Sequence, residues 1–201
     1  RLDGRTGADR RGALMLDRTS GLILLLAALA ALLGGGLAQY RHHRATASVP
    51  VAAPAVSAMV GKPLPALTLA DLDGRMHALT AYRGRRLLIN FWASWCGPCL
   101  QEMPALDEAQ RKFADNGVIV LGIAMDQPDH VRAFLARQPV SYPILLGNLE
   151  APSTSLQLGD EAEILPFSVL IGADGHIIAT HAGILSPQLL TQWLAPQQGA
   201  P

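Results

Sequence analysis

Two cysteines, Cys96 and Cys99, are the only ones in the chain, and they lie in the segment Trp95-Cys96-Gly97-Pro98-Cys99. Disulfide exchange needs an attacking thiolate and a second thiol near enough to resolve the mixed disulfide, and a spacing of three supplies both on one turn of helix. A structural zinc site needs about four ligands. There is no second cysteine pair, and the six histidines are scattered without ligand spacing. A small secreted domain stapled by disulfides would carry more cysteines along its length. The pattern therefore points to redox chemistry.

That chemistry requires particular elements around it. Leu87 to Trp92 is an apolar run suited to a buried strand, and Ala93-Ser94-Trp95 turns out of it. A helix is predicted over Pro98 to Ala114, with Leu100, Met103, Leu106 and Phe113 as its buried stripe. Cys96 then lies at a helix N-terminus, where unpaired N–H groups and the helix dipole favour an anion and lower the thiol pKa. Cys99, one turn on, is the more buried, resolving thiol. Pro98 falls in the first turn, where its missing N–H costs little, whereas Pro104 is expected to kink the helix.

Further strands are predicted at Val118–Ala124, Ile144–Leu146, Phe167–Ile171 and His176–Thr180, with helices at Asp129–Gln138 and Ser186–Leu194. In the last helix Leu189, Leu190 and Trp193 are assigned to the inner face. Leu67 to Leu79 reads as a hairpin turning at Asp73-Gly74. Strand–helix alternation ending in a hairpin and a helix makes this an α/β domain with a mixed sheet between helices on both faces.

The chain of 201 residues carries 16 basic and 16 acidic side chains, so no charge excess points to nucleic acid. No charge occurs from Thr19 to Tyr40, and those 22 residues would span about 33 Å as a helix, enough to cross a bilayer core. A cleaved signal peptide is the rival, but its apolar region usually runs only about 7–15 residues. Arg1, Arg5, Arg10, Arg11 and Arg18 precede the run and Arg41 and Arg44 follow it, which favours a cytoplasmic N-terminus and an exported domain. The expected organisation is a cytoplasmic segment over 1–20 (with Met15 a candidate internal start), a single transmembrane anchor over 21–40, an Ala/Pro-rich linker over 41–60, the redox domain over 61–195 and a disordered tail over 196–201. The linker's prolines favour an extended tether.

The segment from Asn90 through Cys96-Gly97-Pro98-Cys99 to Glu102-Met103-Pro104 resembles the active-site signature of the thioredoxin superfamily. More narrowly it is similar to the membrane-anchored TlpA/ResA/DsbE group, which combines the cysteine pair with Glu and Pro shortly after it. The resemblance implies a thioredoxin-like fold over roughly Val60 to Ala195, with Cys96 as nucleophile, Cys99 as resolving thiol and no cofactor or metal. Trp95, Gly97, Pro98 and Leu165 become neighbours of the reacting pair. Leu165-Pro166-Phe167 matches the loop holding the family's cis-proline, and Glu102 its acidic residue near the pair. Read on its own, the duller alternative for Glu102 is a solvated helix glutamate. Two departures stand out. Asn90 occupies the place of a buried aspartate common in thioredoxins and cannot take a proton, which shifts acid–base duty to Glu102. Phe167 follows the proline where many relatives have threonine. Glu161 and Glu163 precede that loop, as exposed acids or as a source of negative potential.

The implied activity is reduction of exported protein disulfides, for example on cytochrome c precursors or a metal-site assembly protein, with electrons from a membrane donor. Two alternatives share the fold. A thiol peroxidase would carry Pro-x-x-x-Thr-x-x-Cys, whereas Asn90 begins the run here. A Cu(I) carrier would use the soft sulfurs with a distal histidine, for which His181 is the one candidate.

Overall fold

The computed structural model describes residues 57–195. The segment over 1–20, the Thr19–Tyr40 run, most of the linker and the tail over 196–201 lie outside the described residues.

β3 (Arg86–Trp92) forms the centre of a five-stranded sheet in the order β5-β4-β3-β6-β7, with β4 at Val118–Ala124, β5 at Ile144–Leu146, β6 at Phe167–Ile171 and β7 at Ile177–Ala182. β3 pairs parallel with β4 along its whole length and antiparallel with β6 from Leu87 to Phe91, so its middle is flanked by strands on both sides. That position explains its composition. A strand covered on both faces reads as a continuous apolar run, and Leu87 through Trp92 are all buried. The helices are α1 (Gly97–Phe113), α2 (Pro128–Leu135), α3 (Thr154–Gln157) and α4 (Pro187–Leu194).

Alternation along β3 divides the core in two. Leu88 and Trp92 point toward Met103, Leu106 and Phe113 of α1, Val131 and Phe134 of α2, and Leu190 and Leu194 of α4. Leu87, Ile89 and Phe91 point the other way, toward Leu64, Leu69, Leu79 and Leu158. The three longer helices thus share one face. The other face is closed by Leu158 just after α3 and by the N-terminal strands β1 (Thr68–Ala70) and β2 (Met76–Ala78), which pair antiparallel.

Several boundaries differ from those read in the sequence. Ser57–Val60, assigned to the linker by composition, form a turn that packs on the domain, and Gly61 N–H donates to the Ile177 carbonyl at 2.8 Å. The chain then bridges Pro63 to His176 beside β7, and Asp71 bridges to Leu145 on β5. α2 stops at Leu135 rather than Gln138. The inner face of α4 is Leu190 and Leu194, with Leu189 and Trp193 only partly covered. Likewise Leu100 is half-buried rather than part of the α1 stripe, whose buried positions include Cys99 and Glu102. α1 runs through Pro104 without a break.

Candidate active site

Cys96 is the N-cap of α1, in extended backbone, and its Sγ accepts the Cys99 N–H at 3.3 Å. Gly97 and Pro98 make the exposed first turn. The two cysteines are joined as a disulfide with Cα atoms 5.3 Å apart. Cys96 keeps 5% of its surface in water and Cys99 none. Trp95, beside Cys96, is 69% exposed.

The turn that presents these residues is held from below by Asp126, just past the end of β4. Its Oδ2 accepts both the Ser94 N–H at 2.9 Å and the Ser94 hydroxyl at 2.6 Å, and its Oδ1 accepts the Gln127 N–H at 2.7 Å. Burial alone would raise the Asp126 pKa, but the Ser94 and Gln127 donors and His130 outweigh it and hold the carboxyl below its ordinary value. A buried donor left without its acceptor costs about 1–3 kcal/mol, so this carboxylate fixes where β3 turns into α1. Sequence reading missed Asp126. The available signal was a lone acid at the carboxyl end of a wholly apolar parallel strand, where ligand and active sites of open α/β sheets gather.

Under the disulfide lies a second polar cluster. Glu102, on the face of α1 that carries Cys99, is only 2% exposed, which rules out the solvated-glutamate reading. Its Oε1 accepts the Asn90 amide at 2.7 Å, and its Oε2 accepts the Leu185 N–H at 2.7 Å from the connection between β7 and α4. Asn90 Nδ2 also donates to Ser168 Oγ at 3.0 Å. Burial pushes the Glu102 pKa up, and the Leu185 and Asn90 donors offset part of that rise. Asn90 is thus a donor to the carboxylate and holds its orientation. Gly122, opposite Asn90 on β4, leaves the room this side of the sheet needs. A Cβ there would lie 2.5 Å from Ile144 Cδ1 and 3.2 Å from Trp92 Nε1.

Pro166 is buried, and the Leu165–Pro166 peptide is cis, as is Ala151–Pro152. Phe167 pairs with Phe91, so Pro166 comes alongside the carboxyl end of β3, the end from which α1 starts. Leu165 is half-buried, and it lines one cavity together with Trp95. Glu161 and Glu163 are exposed, and Ser153 Oγ donates to Glu163 Oε1 at 2.6 Å. Glu163 has φ 49°, a left-handed conformation that costs a non-glycine residue roughly 1–2 kcal/mol. Ser168, Leu185 and Ser153 were not legible as site residues in the sequence. His181, the histidine offered for copper, has Nε2 3.2 Å from the Ile184 carbonyl.

A strand-to-helix turn presenting a cysteine pair, with a buried acid beneath it, is the arrangement expected of a thiol–disulfide exchanger. The Redoxin family model matches residues 59–191, which takes in the whole of this site. The chain belongs to the Redoxin family. Within it, the chain is 32% identical to thiol-disulfide oxidoreductase ResA of Geobacillus thermodenitrificans over 136 residues, covering 67% of this chain and 76% of that one. It is 30% identical to ResA of Geobacillus kaustophilus over 130 residues, covering 64% and 72%. Among solved structures it resembles a thiol:disulfide interchange protein DsbE from Chlorobium tepidum, with a TM-score of 0.60, 26% identity, and coverage of 67% of this chain and 94% of that one. This Redoxin-family chain is therefore a ResA/DsbE-like thiol–disulfide oxidoreductase of the thioredoxin superfamily, acting on protein thiols and disulfides.

Proposed function

We propose that this oxidoreductase reduces disulfides of exported proteins, with cytochrome c maturation as one setting. Cys96 is the nucleophile, Cys99 the resolving thiol and Glu102 the group that accepts the Cys99 proton. The observation that carries the roles is an asymmetry within α1. Cys96 caps the helix and its sulfur already accepts an N–H, which favours a thiolate. Cys99 is fully buried, on the helix face it shares with Glu102.

In the reducing direction, the Cys96 thiolate attacks one sulfur of the substrate disulfide. A mixed disulfide forms and the other substrate sulfur leaves as a thiolate. Cys99 then loses its proton and attacks Cys96 Sγ, closing the Cys96–Cys99 disulfide and releasing the second substrate thiol. Two electrons pass to the substrate, and a dithiol donor must restore the pair. Glu102 can take the Cys99 proton only as a carboxylate. Because burial raises its pKa, the ionised fraction grows with pH in a window above the ordinary carboxylate range.

The test is resolution of a preformed Cys96 mixed disulfide, followed by stopped flow against pH. The rate should rise through that window in the native protein. In Glu102→Gln it should fall by about 10²-fold and lose the inflection, since a positioned general base contributes about 10²–10⁴-fold. An unchanged pH profile would remove Glu102 from the mechanism.

The proposal extends to location. Among the described residues no helix is long and apolar enough to cross a membrane. The support for an inner-membrane anchor, with the catalytic domain on the periplasmic or outer side beside a membrane electron donor, is the uncharged run Thr19–Tyr40 and the arginines before it. Full-length protein should sediment with membranes and resist carbonate extraction. A soluble mature chain starting near Gln39 or Ser48 would overturn the anchor.

A further inference from the structure

A cavity of about 310 Å³ opens next to the residue before Cys96, lined by Trp95, Met125, Leu149, Ser153, Glu163 and Leu165 among others. Its walls come from the turn before Cys96, the end of β4 and the connection from β5 to β6. Trp95 is the residue before the nucleophile and Leu165 the residue before Pro166, so a polypeptide bonded to Cys96 has this cavity as its immediate neighbour. Ligand cavities run from about 300 to 1,000 Å³, and one at the lower end has room for a side chain or two. Around it large apolar groups stand in water: Trp95 at 69%, Ile164 at 53% and Leu149 at 48% exposed. Exposed apolar groups gathered in one place mark an interaction surface.

The charge of this region is one-sided. From Gln138 to Pro201 the chain has no Lys or Arg, while Glu150, Glu161 and Glu163 fall within the stretch that walls the cavity and leads to Pro166. Glu163 is itself in the wall, held in left-handed backbone with one oxygen on the Ser153 hydroxyl. One bond leaves most of a carboxylate's acceptor capacity of about four sites open. No basic side chain among the described residues lines the cavity.

We propose that this cavity selects the substrate. The partner is an extended polypeptide segment that places an apolar side chain between Trp95 and Leu149, and a lysine or arginine against Glu163, within a few residues of the cysteine under attack. The inference rests on Cys96 being the nucleophile, as set out above, and it adds which protein disulfides are taken first. Exchange itself is unchanged: the Cys96 thiolate bonds to the peptide sulfur, the second sulfur leaves with the electron pair, and Cys99 closes the cycle.

The test uses full-length protein recycled by dithiothreitol and three peptides, each joined by a disulfide to the same small fluorescent thiol. All three carry a leucine two residues from the cysteine and differ only in having lysine, glutamine or glutamate beyond it. At about 0.01 M ionic strength kcat/KM should fall in the order lysine, glutamine, glutamate, spanning at least about tenfold. At about 1 M, where screening acts within roughly 3 Å, the span should shrink below about threefold. In Glu163→Gln the lysine-to-glutamate ratio at low salt should drop at least about threefold. Because the ratio is taken within each protein, a loss of activity common to all peptides cancels. A fourth peptide, identical to the lysine one but with glycine in place of its leucine, reads the apolar contact: in Leu149→Ala the advantage of the leucine peptide over it should shrink.

Equal rates for the lysine and glutamate peptides at low salt, with uncharged 2-hydroxyethyl disulfide still reduced through Cys96, would overturn the cavity's role and leave the nucleophile in place. Trapping of the small disulfide on Cys99 instead would overturn the reading beneath it.

Discussion

Cys96→Ser is expected to lower dithiothreitol-driven insulin reduction by at least about 10³-fold, the scale on which loss of a nucleophile acts. Cys99→Ala is expected to spare the first attack and accumulate a mixed disulfide instead. The difference follows from where α1 begins. Cys96 caps the helix, accepts the Cys99 N–H at 3.3 Å and retains a small accessible surface, whereas Cys99 has none. A serine at the cap would still accept that N–H, so the helix start survives while the nucleophile is lost. In the single-cysteine protein the Cys96 thiol should titrate below the free value of about 8.5, read from alkylation rate against pH. Intact mass of the Cys99→Ala protein after exposure to substrate gives the second readout, with one partner per chain on Cys96. Faster alkylation of Cys99 than Cys96 at neutral pH would reverse the assigned roles.

The other large effect is the direction of electron flow. The Gly97-Pro98 dipeptide between the cysteines is the thioredoxin one. Thioredoxin stands near about −270 mV and a strong periplasmic oxidant near about −120 mV. The gap of roughly 150 mV is about 7 kcal/mol for two electrons, enough to decide whether the pair gives or takes them. The protein should therefore titrate on the reducing side in glutathione or dithiothreitol buffers, and the quenching of nearby Trp95 offers an optical readout. A potential above about −180 mV would make it an oxidant or isomerase and end the reductase reading. The buried Glu102 carboxylate bears on the same quantity, since a negative charge beneath the pair opposes formation of a second one on Cys99.

Much of this was legible in the chain because the informative patterns are local. β4 and β5 begin and end where their apolar runs do, and the turn from Trp92 to Cys96 can be read from five consecutive residues. What escaped is what the fold joins from far away. Nothing near Glu102 reveals that its second oxygen meets an N–H 83 residues later, at Leu185, or that Asn90 bridges it to Ser168, 78 residues from Asn90. An α1 stripe drawn from apolar residues alone skips Glu102, because periodicity counts hydrophobicity and this buried position holds a carboxyl group satisfied by the Asn90 amide and the Leu185 N–H. α3 has only four residues, too few to show a period, and Ser57–Val60 carries no charge or repeat that would separate it from the linker before it.

The N-terminal stretch that closes one face of the sheet also reaches both of its open sides. Gly61 and Lys62 exchange backbone hydrogen bonds with Ile177 at the start of β7, and Asp71 bridges to Leu145 on β5. Unpaired sheet edges recruit strands from other molecules, and proteins guard against this by covering or shortening them. One short piece of chain thus discourages neighbouring copies from stacking edge to edge on this sheet. A fragment trimmed back to Leu79 would keep every redox residue in its sequence but shed both guards and the Leu64 and Leu69 cover of β3, leaving a domain inclined to aggregate, which light scattering against the longer chain would show.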